Sequence, residues 1–405
     1  MTSSDARNGG LGRQATFLAG ATGIAQIGTA IIYLIAARSS GPEAFGQAVT
    51  AVAVATAAVG IIDFGTNSLW LRETARGDLT PITLLQRSYG KLLIACLVLA
   101  AAATAIVVLA PDTNLWTAAP IGMFLLLSQT AQVPIRARAR MSVIAASLLI
   151  DRATGLAVMG TALAIDIRGA TILWIALVSG SIVSTAFLVF KMPDREAFRS
   201  ARTIDLHPWS GSGFYGLSSV AVSAQSLDVA ILSATAGPSA AGLYGAVNRW
   251  TQPMSLAVTA FAQSAVPVVA RYRSWALAWP HVRNALWMPA AAMTACVIAF
   301  VTAPAVVDFL VGAAYAQSAD VLRILAIGTL FAIINQPLAV FQQSLGRDRP
   351  VSFATVSSVA LQLILVAVLA PQYGAMGAAW AFVAAQICIC ALLLVTLFRS
   401  HRPHL

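Results

Sequence analysis

The feature that most constrains this chain is a series of long apolar segments that contain very few charged residues. Twelve such segments follow one another with only short connections between them. An α-helix needs about 20 apolar residues to cross the hydrocarbon core of a bilayer. We therefore predict an all-α polytopic membrane protein with about twelve transmembrane helices. The predicted spans are residues 14–37, 46–70, 88–110, 115–134, 141–164, 169–190, 210–236, 243–269, 285–307, 321–344, 351–370 and 375–397.

The composition excludes an ordinary water-soluble enzyme. Only 10% of the residues are charged and 59% are hydrophobic, whereas soluble domains carry charge on about a quarter of their residues. The first apolar segment is longer than the 7 to 15 apolar residues of a signal peptide, so we interpret it as the first span. Most of the chain is therefore expected to be in contact with lipid.

The net charge of +10 is explained by the orientation of the chain in the membrane. Nearly all Lys and Arg residues that flank the spans, Lys91 included, fall on one side, and the exceptions are Arg38 and Arg168. Because basic residues are enriched on the cytoplasmic side, both termini are predicted to be cytoplasmic. Anionic membrane lipid then accounts for the basic excess, and no nucleic acid partner is expected.

Cysteine, histidine and glycine patterns give no sign of catalysis or of a cofactor. The four cysteines lie in apolar segments without C-x-x-C spacing, and the four histidines lack a second ligand at helical spacing. The sequence also lacks a G-x-x-x-x-G-K-[ST] phosphate loop. We therefore expect no enzyme activity, no metal site and no cofactor.

Similar motifs recur in the two halves of the chain. Gly41-Pro42 with Gly46 follows the first predicted span, and Gly237-Pro238 with Gly242 follows the seventh. The longest polar connection lies at residues 191–209, in the middle of the chain. These features predict two six-helix lobes, residues 1–195 and 196–405, that are related by a parallel repeat with a binding cavity between them.

Charged residues inside the predicted spans are candidates for function, because each costs about 2.5–3.5 kcal/mol in hydrocarbon and normally faces a cavity or a partner. Asp228 and Arg249 flank the outer turn at 237–242 and lie at similar depths. They are either a structural ion pair or part of a substrate or coupling-ion site, and the sequence leaves both open. The complete set is Asp63, Asp151, Arg152, Asp228, Arg249 and Arg323.

Uncharged polar residues within the spans are further candidates. Gln26 lies in the first span, Gln225 in the seventh and Asn248 in the eighth. Their amides could form hydrogen bonds between helices or line a hydrated cavity. Asp63 could also cap the inner end of its helix, and Arg323 could reach the membrane interface.

Several motifs make the chain resemble the O-antigen and exopolysaccharide lipid flippases of the multidrug, oligosaccharidyl-lipid and polysaccharide exporter superfamily. The matching residues are Ala37-Arg38-Ser39-Ser40-Gly41-Pro42-Glu43-Ala44-Phe45-Gly46, Ile62-Asp63-Phe64-Gly65, Leu71-Arg72-Glu73, Gly237-Pro238, Gly242-Leu243-Tyr244, Gly346-Arg347 and Gly374-Ala375-Met376-Gly377-Ala378-Ala379. This resemblance implies a bacterial inner-membrane protein that flips a polyprenyl-diphosphate-linked oligosaccharide by alternating access, for lipopolysaccharide or exopolysaccharide synthesis. Glycan polymerase and glycosyltransferases are candidate partners.

The resemblance also suggests roles for the polar residues. Guanidinium groups bind phosphate oxygens through paired hydrogen bonds, so arginines suit the diphosphate. The candidate coupling residues for a proton or a cation are Asp63 and Asp228. The candidate substrate-binding residues are Arg38, Arg152, Arg249, Gln26, Gln225 and Asn248.

Three alternatives remain at this point. A cation-coupled multidrug exporter of the same superfamily would share the fold, but it would not require an opening towards the bilayer for a lipid substrate. A membrane glycan polymerase or ligase would need large outer loops with convergent polar groups. A third alternative is a scaffold that transports nothing.

Overall fold

The computed structural model describes residues 3–167, 169, 171–192, 203–250, 258, 261, 283, 286–344 and 347–399. These residues form helices and connections, and no strand occurs among them. The prediction of an all-α membrane protein is confirmed.

The chain divides into two compact units. The first contains Met1–Ser40 and Gln47–Ser226, and the second contains Gly41–Gly46 and Leu227–Leu405. The helices from α1 to α7, apart from residues 41–46 of α1, lie in the first unit: α1 Ser3–Asp63, α2 Thr66–Arg76, α3 Pro81–Leu109, α4 Ala118–Ala137, α5 Met141–Ala164, α6 Thr171–Phe190 and α7 Gly213–Ala224. The second unit contains α8 Leu227–Ala236, α9 Pro238–Asn248, α10 Trp287–Leu310, α11 Ser318–Ser344 and α12 Asp348–Arg399.

Nine helical segments of the described chain are long and apolar enough to cross a membrane. Two of them, Phe17–Asp63 with 47 residues and Arg349–Leu397 with 49 residues, are long enough for two crossings each. The backbone leaves helical geometry within them at Gly41 and at Gly374. Together the nine segments account for every predicted span except 243–269, most of which lies outside the described residues.

The repeated Gly-Pro motif has the same backbone conformation in both places. Gly41 has φ 73° and ψ 168°, and Gly237 has φ 89° and ψ 164°. A positive φ strongly favours glycine, and the following proline, Pro42 or Pro238, is well suited to the first turn of a helix. The structural likeness of these two turns supports the predicted repeat.

Within the second unit the two motifs also pack against each other reciprocally. A Cβ on Gly46 would overlap the carbonyl oxygen of Pro238, and a Cβ on Gly242 would overlap the carbonyl oxygen of Pro42. Each glycine therefore allows a backbone contact that any other residue would prevent.

Two predicted spans are interrupted in the structure. The span predicted over 46–70 ends at Asp63, because Phe64 (φ 42°) and Gly65 (φ 68°) are left-handed and the chain restarts as α2. The span predicted over 210–236 is divided into α7 and α8 at Gln225 and Ser226. Both interruptions lie next to a buried aspartate.

The described part of the middle connection packs on the first unit. The Trp209 indole nitrogen donates a hydrogen bond to the Ile62 carbonyl oxygen at 2.7 Å, and the Asp205 backbone donates to the Gln86 carbonyl oxygen at 3.2 Å. Arg87 also pairs with the Asp205 carboxylate at 3.4 Å. These contacts hold residues 205–209 against the ends of α1 and α3.

Candidate functional site

The first unit contains a buried ion pair between Asp63 and Lys91. The Lys91 Nζ lies 2.9 Å from Asp63 Oδ1, and the lysine residue is 0% exposed. Its other hydrogen-bond partners are Thr66 Oγ1 at 3.0 Å and Asn67 Oδ1 at 2.8 Å. The ammonium also lies 4.3 Å from the ring centroid of Trp70, which adds a cation–π contact. All the acceptors of this ammonium lie in the first unit.

The left-handed turn at Phe64 and Gly65 builds this site. It lets the Asp63 carboxylate accept hydrogen bonds from the Thr66 hydroxyl at 3.0 Å and the Asn67 backbone at 3.4 Å. Asp63 thus bonds to the first turn of α2 rather than capping the end of its own span, while α3 supplies the lysine.

Sequence reasoning missed the role of Lys91, which had been grouped with the basic residues that flank the membrane. The structure instead buries it completely. The available signal was its position inside the apolar segment 88–110, because a lysine there needs a carboxylate at the same depth.

Asp151 and Arg152 form a second charged group in the first unit. Arg152 Nη1 lies 3.5 Å from Asp151 Oδ1. The Asp151 side chain also accepts hydrogen bonds from Ser181 and Ser184 of α6. Gly180 makes room for this contact, since a Cβ there would collide with Asp151.

The second unit contains a buried carboxylate with a different environment. Asp228 is 4% exposed, and its Oδ2 accepts hydrogen bonds from the Tyr244 hydroxyl at 3.0 Å and Gln362 Nε2 at 3.1 Å. Its Oδ1 accepts the Val229 backbone hydrogen bond at 2.6 Å. The half-buried Arg249 attracts the carboxylate electrostatically. Three helices, α8, α9 and α12, thus supply neutral donors to one acidic group.

Tyr244 stands in one of the family motifs, but neither it nor Gln362 was among the predicted site residues. Both are almost fully buried, at 0% and 1% exposure. Gln362 lies 134 residues from Asp228 along the chain, so no local spacing could have connected them. Tyr244 had only a weak signal, its place on the helix that follows the outer turn after Asp228.

The remaining predicted site residues lie at several places. Arg38 is exposed near the Gly41 kink, and Gln26 is half-buried on α1. Gln225 is half-buried at the break before α8, and Asn248 is the last residue of α9. Arg323 makes an exposed pair with Asp320 at 2.9 Å.

Metal binding finds no support in the described part of the chain. No group of three or more His, Cys, Asp or Glu side chains among those residues could hold a metal ion. The arrangement of the buried groups suits ion pairing, proton exchange or binding of a single cation by one carboxylate, rather than a multidentate metal centre.

Comparison with known proteins gives one family match. The family model described as "Polysaccharide biosynthesis protein" matches residues 11–273. No curated protein sequence matches the chain significantly.

Solved structures with the same fold are membrane transporters. An inward closed lipid II flippase, MurJ, is 12% identical with a TM-score of 0.75, over 94% of this chain and 87% of that one. An inward-facing multidrug resistance MATE family transporter of the MOP superfamily is 11% identical with a TM-score of 0.66, over 92% and 94%. A MOP superfamily transporter from Pyrococcus furiosus is 14% identical with a TM-score of 0.57, over 95% and 97%. The chain therefore has the fold of these proteins.

Proposed function

We propose that this chain, which belongs to the polysaccharide biosynthesis protein family, flips a polyprenyl-diphosphate-linked oligosaccharide across the bacterial inner membrane by alternating access. The observation that carries the proposal is the family match over residues 11–273. The fold similarity to a lipid II flippase over 94% of the chain supports it. The product would serve a surface polysaccharide such as O-antigen or exopolysaccharide, with polymerase and glycosyltransferases as functional partners.

The proposed topology follows from the basic residues. Both termini are cytoplasmic, and the repeat divides the chain into lobes 1–195 and 196–405. This arrangement places nearly all flanking Lys and Arg beside the anionic headgroups of the cytoplasmic leaflet.

The proposed headgroup ligands are Arg38, Arg152 and Arg249, whose guanidinium groups match phosphate oxygens. Gln26, Gln225 and Asn248 are proposed to contact the sugar hydroxyls. Arg38 is exposed, and the other five are half-buried, which leaves part of each side chain accessible to a substrate.

Of the two proposed coupling residues, Asp228 is preferred over Asp63. Asp63 forms an ion pair with the fully buried Lys91 at 2.9 Å. Asp228 instead accepts hydrogen bonds from a tyrosine, a glutamine and a backbone amide. A carboxylate held by neutral donors can take up a proton or bind a cation without first breaking an ion pair with a buried lysine.

Complementation of a flippase-null strain tests the function. The wild-type chain should restore surface polysaccharide, and Arg249→Ala should reduce it by about tenfold, because one charge-assisted contact to phosphate is lost. Arg323→Ala, which removes an arginine of an exposed pair, is the matched control and should retain full activity. Wild-type polysaccharide levels in Arg249→Ala, at equal protein abundance, would exclude Arg249 as a headgroup ligand.

Ion uptake into proteoliposomes tests the coupling role. Asp228→Asn keeps the shape of the side chain but removes its charge, so we expect substrate-dependent uptake of protons or sodium ions to disappear. Asp63→Asn serves as the comparison, and we expect it to lower protein abundance more than uptake per molecule. Unchanged uptake in Asp228→Asn would remove this residue from the coupling mechanism.

A multidrug exporter is the second candidate, because multidrug transporters share the fold at a TM-score of 0.66. Expression in a drug-sensitive strain distinguishes the two functions. A flippase should restore polysaccharide without raising drug resistance, whereas an exporter should give the opposite result.

A further inference from the structure

The first unit contains a cavity of about 410 Å³ that the proposed transport function does not use. It lies between the end of α2, the first half of α3, the second half of α4 and the end of α6. Its wall is mostly apolar and includes Leu84, Leu92, Leu127, Pro134 and Met192. The volume lies in the range of about 300–1,000 Å³ that is typical of small-molecule sites.

The depth of the cavity matches one leaflet of a bilayer. Along α4 and the residue that follows it, the wall runs from Leu127 to Arg138, and on α3 it runs from Pro81 to Leu92. Each stretch rises about 16 Å at 1.5 Å per residue. Half of a hydrocarbon core is about 15 Å. The cavity therefore extends from the basic end of these helices to about the middle of the membrane.

The polar groups of the cavity are arranged for an amphipathic ligand. Arg138 is exposed where the wall ends, in the same turn as the exposed Arg136 and Arg140. Deeper in the wall, the Thr130 hydroxyl is buried and has no hydrogen-bond partner among the described residues. The Thr74 hydroxyl, near the end of α2, is likewise buried and unpartnered there. Thr130 is only 5% exposed. A buried hydroxyl without a partner is unfavourable, so a ligand oxygen there would satisfy it.

We propose that this cavity binds an acyl chain of one anionic glycerophospholipid, with the headgroup phosphate at Arg138 and an ester oxygen within reach of the unpaired threonine hydroxyls. The apolar wall suits the chain, and its depth suits a lipid from one leaflet. Guanidinium groups bind phosphate strongly, and the neighbouring arginines favour a net negative headgroup. With the topology proposed above, the lipid comes from the cytoplasmic leaflet.

Native mass spectrometry of the full-length protein in detergent tests this site. With phosphatidylglycerol added, the wild type should retain one lipid in preference to phosphatidylcholine. Arg138→Gln should weaken phosphatidylglycerol binding by about tenfold, as expected for loss of one charge-assisted hydrogen bond. Arg140→Gln removes the same charge from the same turn outside the cavity wall, so it should change binding by less than about twofold. Equal losses in the two variants would show general attraction to the basic end and would overturn the site.

Two substitutions in the wall test the acyl chain. Leu127→Trp should fill the cavity and abolish retention of the lipid.

If the Leu127→Trp protein does not fold, Thr130→Val tests the proposal in its place. Without lipid, Thr130→Val should raise the melting temperature, because it replaces an unpaired hydroxyl with a methyl group of the same size. When phosphatidylglycerol is added, the melting temperature of Thr130→Val should then rise by less than that of the wild type. Unchanged lipid retention in a folded Leu127→Trp, or no difference between Thr130→Val and wild type, would overturn the proposal.

A competition experiment separates phospholipid from substrate. Addition of a polyprenyl phosphate at equal concentration should leave the bound phosphatidylglycerol in place. Its displacement, with the same sensitivity to Arg138→Gln, would identify the cavity as a site for the substrate tail and would overturn the assignment to phospholipid.

Discussion

Asp63 in the first unit and Asp228 in the second are both buried, yet their charges are compensated in different ways. In the first unit Asp63 pairs with Lys91, a lysine with 0% exposure. In the second unit Asp228 accepts hydrogen bonds from Tyr244, Gln362 and the Val229 backbone. The hydrogen-bond acceptors of Lys91 lie in its own unit. Arg249, which attracts Asp228 electrostatically, is only half-buried.

This difference separates a structural pair from a group that can change its partner. A buried ammonium cannot leave its carboxylate without losing several hydrogen bonds at once, so we expect the first pair to stay formed. Neutral donors tolerate both the charged and the protonated carboxylate. The second site is therefore better suited to a transport cycle, although the two aspartates look equally promising in the sequence.

Removal of Lys91 should have the most severe effect on stability. Lys91→Met leaves the Asp63 charge buried without its cation, and such a change typically costs about 3–5 kcal/mol. Denaturant unfolding of the purified protein in detergent measures this cost, with loss of the folded protein as the extreme outcome.

Two controls make this result specific. Adding Asp63→Asn to Lys91→Met should recover part of the lost stability, since both charges are then absent. Arg323→Met breaks an exposed pair with Asp320 and should cost less than about 1 kcal/mol. A Lys91→Met protein as stable as wild type would mean that the ion pair is not structural, and the contrast between the units would fail.

The reciprocal glycine contact should be the next most sensitive feature, and it tests the likeness of the two repeats rather than their difference. Gly242→Ala and Gly46→Ala each push a Cβ into a proline carbonyl oxygen, so each should cost about 1–3 kcal/mol. The two losses should be similar if the contacts are equivalent.

Gly160→Ala on α5 is the matched control, because a Cβ there meets nothing within 4 Å. It should be neutral or stabilising by up to about 1 kcal/mol, since alanine favours a helix. If Gly242→Ala behaved like Gly160→Ala, the close contact would not limit the packing of this unit.

Tyr244→Phe should have the smallest effect on stability. It removes one hydrogen bond to Asp228 while Gln362 and the backbone donor remain, so the expected cost is about 0.5–1.5 kcal/mol. Unfolding measurements beside Tyr373→Phe, an exposed tyrosine, check this value. A loss as large as that of Lys91→Met would indicate that the Asp228 site is as rigid as the first one.

The helical spans could be predicted well because lipid imposes a simple rule. Each crossing segment needs about 20 apolar residues with its backbone hydrogen bonds satisfied inside the helix. This rule identified the segments that form α3, α4, α5 and α6. The Gly-Pro turns at Gly41 and Gly237 could also be recognised, since few other residues adopt their positive φ.

Breaks within spans were harder to predict. The segment before Asp63 is apolar and Leu69 and Trp70 resume the apolar pattern after it, so the span was predicted to continue to residue 70. The chain instead turns at Phe64, a non-glycine residue with φ 42°, where the Asp63 carboxylate binds Thr66, Asn67 and Lys91. Tertiary hydrogen bonds outweigh local helical preference at such a position.

The sequence by itself determined the all-α membrane class, the repeated turns and most of the charged residues that lie within spans. It did so because hydrophobicity, charge and glycine conformation act locally along the chain. Only the tertiary structure decided the partners: Lys91 for Asp63, and Tyr244 with Gln362 for Asp228. The partners of a buried charge are selected by the folded arrangement of distant helices, since the cost of leaving it uncompensated applies only once the helices have packed.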